Sequence, residues 1–288
     1  MKLLHVSRAG AVHTVRELEV VTLLTLDNTR DYETGDNRDI VATDTQKNTV
    51  YVLAKQHGVA SPEEFGLVLA THFVSKYPWV TRAKVQVTAA PWQRIRDPEG
   101  AEHSHAFLSV PSMVRVAEVV FQRGATPLVS SGIRGLRVLK TTQSAFVNFA
   151  DDEFRTLPDA KDRVFSTIVT ADWSYNNIRQ LDFDEVFGKV RDTVLDVFAG
   201  PADTGIYSAS VQNSQFLTQK RILELVPEIE KVAIEMPNVH YFGFDFSKFT
   251  RIPGLVGEGA GGQVYSPVDK PSGHIMSTLA RQDLAAKL

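Results

Sequence analysis

Cysteine is absent from all 288 residues, which rules out disulfides, thiolate metal sites and cysteine nucleophiles. Nor is there a surplus of either charge. Thirty-one Lys and Arg against 34 Asp and Glu leave a formal net charge of −3, so electrostatics make no case for nucleic acid or an anionic membrane as principal partner. No apolar run approaches the roughly 20 residues that a membrane-spanning helix needs. The opening Met1-Lys2-Leu3-Leu4-His5-Val6 is too short in apolar residues for a secretory signal. These absences point to an intracellular globular protein. A composition of 43% hydrophobic and 23% charged residues fits that class, and the length suffices for two domains with cores of their own.

What is present is one order of elements that occurs twice. Residues 2–26 read as a hairpin turning at Arg8-Ala9-Gly10, and Leu18, Val20, Thr22, Leu24 and Leu26 recur at period two. A helix begins near Thr43. A second opens at Ser61-Pro62-Glu63-Glu64, with Ser61 as cap, Pro62 in the first turn and Glu64 completing a capping box. Strands follow at Ala83–Ala89 and Met113–Phe121. The second half has extended stretches at 132–142 and 164–175, then a helix opening at Asp182 that buries Phe183, Val186, Phe187, Val190, Val194 and Val197. A further helix begins near Ser208 and stops before Pro227, and strands return at 232–236 and 240–246. This predicts an α+β protein of two ββααββ units with mainly antiparallel sheets. The units divide at residues 1–128 and 129–288, where Arg123-Gly124-Ala125-Thr126-Pro127 breaks the pattern. The repeat lies in element order only.

Several short stretches carry candidate chemistry. Ile40-Val41-Ala42-Thr43-Asp44-Thr45-Gln46-Lys47-Asn48-Thr49 sets a hydroxyl beside a carboxylate at a strand-to-helix junction, where Thr43 or Asp44 can cap the free N–H groups. Val138-Leu139-Lys140-Thr141-Thr142-Gln143-Ser144-Ala145-Phe146 leads through Phe149 and Asp152-Glu153-Phe154 to Asp162-Arg163. Ser208-Ala209-Ser210-Val211-Gln212 opens a helix, and Met236-Pro237-Asn238-Val239-His240-Tyr241-Phe242 lies on a strand, with Asn238 and His240 on one face. Singly, each has an ordinary reading. Phe146 is core, Arg163 pairs with Asp162 at the surface, Gln212 is solvated, and His240 sits idle at a sheet end. His103-Ser104-His105 shares a strand face but has no acidic partner at ligand spacing, which favours a structural role over a metal site.

Taken together and in this order, with weaker echoes at Pro91-Trp92 and His105-Ala106-Phe107, these stretches resemble the urate oxidase (uricase) family over nearly the whole chain. The resemblance implies tandem tunnelling-fold domains whose sheets form barrels on oligomerisation. It implies cofactor-independent, metal-free oxidation of urate by O2 to 5-hydroxyisourate and hydrogen peroxide, in a homotetramer with shared active sites. Phe146, Arg163, Val211 and Gln212 would bind urate from one subunit, with Thr43 and Asp44 reaching in from a neighbour. Asn238 would hold the oxygen species, and Thr43 and His240 would be catalytic. The residue types suit the substrate: a flat anion takes an aromatic ring on its face, a planar fork of donors, and a side-chain amide on its edge.

Both ends bear on this expectation. Ala286-Lys287-Leu288 resembles the Ser-Lys-Leu address of the peroxisomal import receptor, which implies a peroxisomal location. The family carries a lysine in a Tyr-Gly-Lys stretch just before the first strand, paired with the threonine that matches Thr43. Lys2 aligns about four residues further along, about 13 Å away at roughly 3.3 Å per strand residue. The expectation is an incomplete start, or a chain that binds urate and turns it over slowly. The alternatives are a catalytically impaired purine-binding protein and a tunnelling-fold, cyclohydrolase-like pterin or purine enzyme.

Overall fold

The computed structural model describes residues 1–255, 263–268 and 270–285. In the first half, strands β1 (Lys2–Ala9) and β2 (Val12–Leu26) are followed by a single turn, α1 (Arg30–Glu33), and by helices α2 (Thr43–His57) and α3 (Pro62–Lys76). Strands β3 (Val80–Ala89), β4 (Trp92–Arg96), β5 (Glu102–Ser109) and β6 (Val114–Gln122) complete it. The second half begins with β7 (Leu128–Lys140) and β8 (Phe165–Tyr175), then α4 (Phe183–Ala199) and α5 (Val211–Leu225). It closes with β9 (Ile229–Glu235), β10 (His240–Gly243), β11 (Tyr265–Val268), β12 (Met276–Ala280) and the short α6 (Arg281–Ala285).

One antiparallel sheet runs through both halves in the order β1-β2-β3-β6-β7-β8-β9-β12. Its register aligns a single buried row across seven strands: Val20, Val87, Ala117, Ser131, Trp173, Val232 and Leu279. Alternation then sends Glu19, Gln86, Thr88, Glu118, Ser130, Arg134 and Asp172 to line a polar hollow on the opposite side. Helices α2 to α5 supply the other wall of the core, with Phe65, Leu69 and Phe73 of α3 and Val190 and Val194 of α4 fully buried. The sheet does not close on itself, so β1 and β12 are its two free edges.

Two insertions depart from the plain ββααββ order. The β4–β5 ribbon leaves between β3 and β6, and the β10–β11 ribbon between β9 and β12. The strand expected at 240–246 is therefore shorter and pairs with β11, while Met276–Ala280 takes the eighth place in the sheet. Local alternation identifies a strand but carries no record of its partner. The first turn lies at Gly10-Ala11, with Gly10 at φ +62, a left-handed conformation that costs glycine little.

Helix starts agree with the sequence where a good cap stands next to a periodic run. Ser61 accepts from the Glu64 N–H, and Asp182 accepts from the N–H groups of Asp184 and Glu185. They differ elsewhere. Ala42 occupies the cap of α2, so neither Thr43 nor Asp44 caps it. The later helix starts at Val211 with Ser210 as cap, because Ser208 is held in a backbone bridge to Ser144. In α4 the turn places Phe198 in the core and leaves Val197 half-buried.

Candidate active site

The site is built where β7 runs out. Beyond Lys140 the chain leaves the sheet, and three separate segments bond to one another through their backbones. Ser144 bridges Ser208 in parallel and Phe146 bridges Ala160 antiparallel. The Ala145 N–H donates to the Ser208 carbonyl at 2.9 Å, and the Arg163 N–H to the Ser144 carbonyl at 2.8 Å. Asp162 supports the crossing, accepting from the Thr142 hydroxyl at 2.6 Å. That bond, then the backbone N–H groups of Ser144, Gln143 and Arg163, hold its carboxyl below the usual carboxylate range. The expected surface pair between Asp162 and Arg163 does not form, because the carboxylate is taken by Thr142 and the backbone.

Arg163 is thus left without a carboxylate partner among the described residues. Its guanidinium carbon lies 5.4 Å from the centre of the Phe146 ring, and its Nε is buried with no hydrogen-bond acceptor. Burial disfavours the charged form and lowers its pKa. Phe146 is half-buried rather than core, and Phe149 stacks parallel to it at 4.6 Å. Arg155 covers Phe149 at 4.1 Å. The result is a wall of flat groups beside a cation.

The start of α5 joins this wall through Ser208. Ser210 accepts from the Asn213 N–H at 3.1 Å, so the N–H groups of Val211 and Gln212 point out of the first turn with no intrahelical acceptor. Val211 is buried and Gln212 is exposed. Sequence reading missed the two buried amides that fasten this helix to the sheet. Gln215 donates to the Ile275 carbonyl at 2.8 Å, and Gln219 to the carbonyls of Ser277 at 2.8 Å and Val232 at 3.1 Å. Their spacing of four on a core-facing stripe is the only local signal for them.

Asn238 and His240 are not on one continuous strand. Asn238 bridges Thr167 of β8, whereas His240 pairs with Val268 of the β10–β11 ribbon. His240 stacks on Phe242 at 5.6 Å. Its pKa is lowered, first by burial and then by the charge of Arg163, which places the imidazole within electrostatic reach of the guanidinium.

Thr43 and Asp44 lie apart from this cluster, at the exposed start of α2. Asp44 pairs with Lys47 and accepts from Asn48 at 2.9 Å. The Thr43 hydroxyl has no hydrogen-bond partner among the described residues. Among the described residues no hydrogen bond, ion pair or ring contact links either residue to Phe146, Arg163, Gln212, Asn238 or His240. His103 and His105 meet edge to face at 4.6 Å, with His13 at 5.8 Å from His105. Among the described residues no group of three His, Asp or Glu is placed to hold a metal ion. The tripeptide Ala286-Lys287-Leu288 lies outside the described residues.

Comparison with known proteins adds to this geometry. A family model described as Uricase matches residues 1–120 and 129–276. The uricase of Drosophila melanogaster is 44% identical over 313 residues, spanning 100% of this chain and 88% of the fly protein. That of Danio rerio is 45% identical over 285 residues, spanning 99% and 93%. The crystal structure of the Arthrobacter globiformis uricase superposes with a TM-score of 0.86 at 35% identity, covering 98% of this chain and 91% of that one.

Proposed function

Because the chain belongs to the uricase family, we infer that it oxidises urate with molecular oxygen, giving 5-hydroxyisourate and hydrogen peroxide. The matches favour neither a cyclohydrolase-like enzyme nor a non-catalytic purine binder. The observation in the molecule that carries this reading is the half-buried Arg163 guanidinium beside the Phe146 ring, with no carboxylate of its own. A flat organic anion fits that vacancy of charge, since it stacks on one group and neutralises the other.

In this reading urate lies against Phe146, with Arg163 on its carbonyl and anionic ring nitrogen. The free N–H of Val211 and the amide of Gln212 take another edge, helped by the positive end of α5. Two electrons pass from the deprotonated ring to oxygen, and water supplies the hydroxyl added at C5. Asn238 holds the oxygen or peroxide species. His240 and Thr43 move protons, and burial with the charge of Arg163 lowers the His240 pKa, which favours the neutral imidazole that can accept one. The chemistry asks for no metal or organic cofactor, because the electron-rich substrate is itself the reductant.

The same reading requires more than one chain. Thr43 and Asp44 are remote from the Arg163 cluster by contact, and the sheet has free edges at β1 and β12. We therefore take the working unit to be a homotetramer in which the two ββααββ units, 1–128 and 129–288, build shared barrels and Thr43 and Asp44 enter a neighbour's site. A fully active monomer in sedimentation would exclude this. Peroxisomal delivery through Ala286-Lys287-Leu288 belongs to the proposal as well, and a fluorescent fusion carrying that tail that stays cytosolic would remove it. No helix among the described residues is long and apolar enough to cross a membrane.

The central test is urate-dependent oxygen uptake with matching peroxide release. Arg163→Lys keeps the charge and loses the planar fork, and should weaken urate binding by about 1–3 kcal/mol. Unchanged affinity would take Arg163 out of the site.

A further inference from the structure

Lys140, the last residue of β7, holds a half-buried ammonium with no carboxylate within pairing distance among the described residues. Its Nζ donates to the Ser208 hydroxyl at 2.7 Å and to the Ile206 carbonyl at 2.8 Å. Its Nζ lies beside a packed pair of aromatic rings, 5.5 Å from the centre of Phe198 and 6.0 Å from that of Phe165, whose own centres are 5.1 Å apart. A half-buried cation without a counter-ion carries a desolvation cost, and surface lysines avoid it by turning to water. Here the geometry instead spends the charge on one target, the segment 206–208.

Ser208 is the point at which the binding segments meet. Its N–H donates to the Gln143 carbonyl, its carbonyl accepts from Ala145, and its hydroxyl also accepts from Ser214 of α5 at 3.1 Å. Two residues on, Ser210 caps the helix that presents Val211 and Gln212. On the other side, the chain that bonds to Ser208 continues directly to Phe146. We propose that Lys140 is a positioning residue for urate: by anchoring Ser208 and Ile206 it fixes the distance between the Phe146–Arg163 wall and the start of α5. The inference rests on the urate reading of that same site, and it adds a residue that touches no substrate.

The test uses the assembled full chain, with urate binding measured in the absence of oxygen so that no turnover occurs. Lys140→Met keeps an apolar stem of similar length beside the Phe165–Phe198 pair and removes the charged donor. It should raise the urate dissociation constant about ten- to hundred-fold, the scale of a charge-assisted hydrogen bond, and raise KM in parallel while kcat at saturating urate changes little. Lys140→Arg should recover most of that affinity. Ser208→Ala should weaken binding too, and adding it to Lys140→Met should cost less than the two single effects together, because both remove the Lys140–Ser208 contact. Arg163→Gln separates the two levels of the argument. If it binds urate like the unaltered protein, the site assignment itself fails. If it loses binding while Lys140→Met retains unaltered Kd and KM, the positioning role is overturned and the site stands. Should Lys140→Met fail to fold, Ser208→Ala decides, and unaltered affinity in that variant overturns the inference.

Discussion

Replacing Arg115 by Met should be among the most damaging single changes outside the active site. Glu63 on α3 is 0% exposed, and Arg115 on β6 meets it twice, through Nη2 at 2.6 Å and Nε at 3.3 Å. The same guanidinium bonds the Asp184 carboxylate at 2.6 Å and the Phe183 carbonyl at 3.0 Å, and lies 4.6 Å from the Phe187 ring. Glu63 also ends a buried relay. The Trp173 indole donates to the Tyr175 hydroxyl at 2.8 Å, Tyr175 bonds Ser131 at 2.8 Å, and Ser131 donates to Glu63 at 2.5 Å. Burial, and then the charge of Glu63, push the Tyr175 pKa up, so its hydroxyl keeps the proton the relay needs. Without Arg115, Asp184 retains Arg16 as a partner and stays partly exposed. Glu63 keeps only Ser131. Leaving a buried charge unpaired costs about 3–5 kcal/mol. Urea unfolding at fixed protein concentration, followed by tryptophan fluorescence, would measure it, because Trp173 reports on the same network. Converting Glu63 to Leu in addition should recover part of the loss, since apolar replacement of both partners removes the unpaired charge. A loss below about 1 kcal/mol for Arg115→Met, or a double variant as unstable as the two single losses added together, would refute this account of how α3 and α4 are tied.

Three further outcomes are expected. His240 should titrate below the usual histidine midpoint of about 6.5, because burial first and Arg163 second oppose its charge. The unfolded chain then binds more protons just below that pH, so this group's contribution to stability is lost as pH falls through the window. Arg163→Gln should move the midpoint upward in a proton NMR titration, and no movement would deny the coupling. Ser61→Ala removes the acceptor for the Glu64 N–H and should lower stability by about 1 kcal/mol in urea unfolding. Asp162→Ala should free the 142–144 crossing and raise the urate KM well before it affects the melting temperature. Equal damage to both would make Asp162 a general stabiliser instead.

Much of this architecture was legible from local signals. Period two marks β2 and β3, since one sheet face is buried and the other is wet. Ser61 and Asp182 announce helix starts because a cap bonds only to N–H groups two or three residues on. The order of elements and the motif stretches from Thr43 to His240 likewise stand in the sequence, and they led to the family and the chemistry. Tertiary structure decided what depends on distant partners. Alternation at 240–246 said strand, but whether it or Met276–Ala280 completed the sheet turned on which backbone met β9. The chain also gave no sign that Asp162 would turn from Arg163 to Thr142, leaving the guanidinium without a carboxylate partner among the described residues. Nor did it show that Lys140 and Ser208, or Glu63 and Arg115, would meet across 68 and 52 residues. Caps and periodicity are set by neighbours along the chain, whereas an unpaired cation or a buried ion network exists only once the sheet has brought its members together.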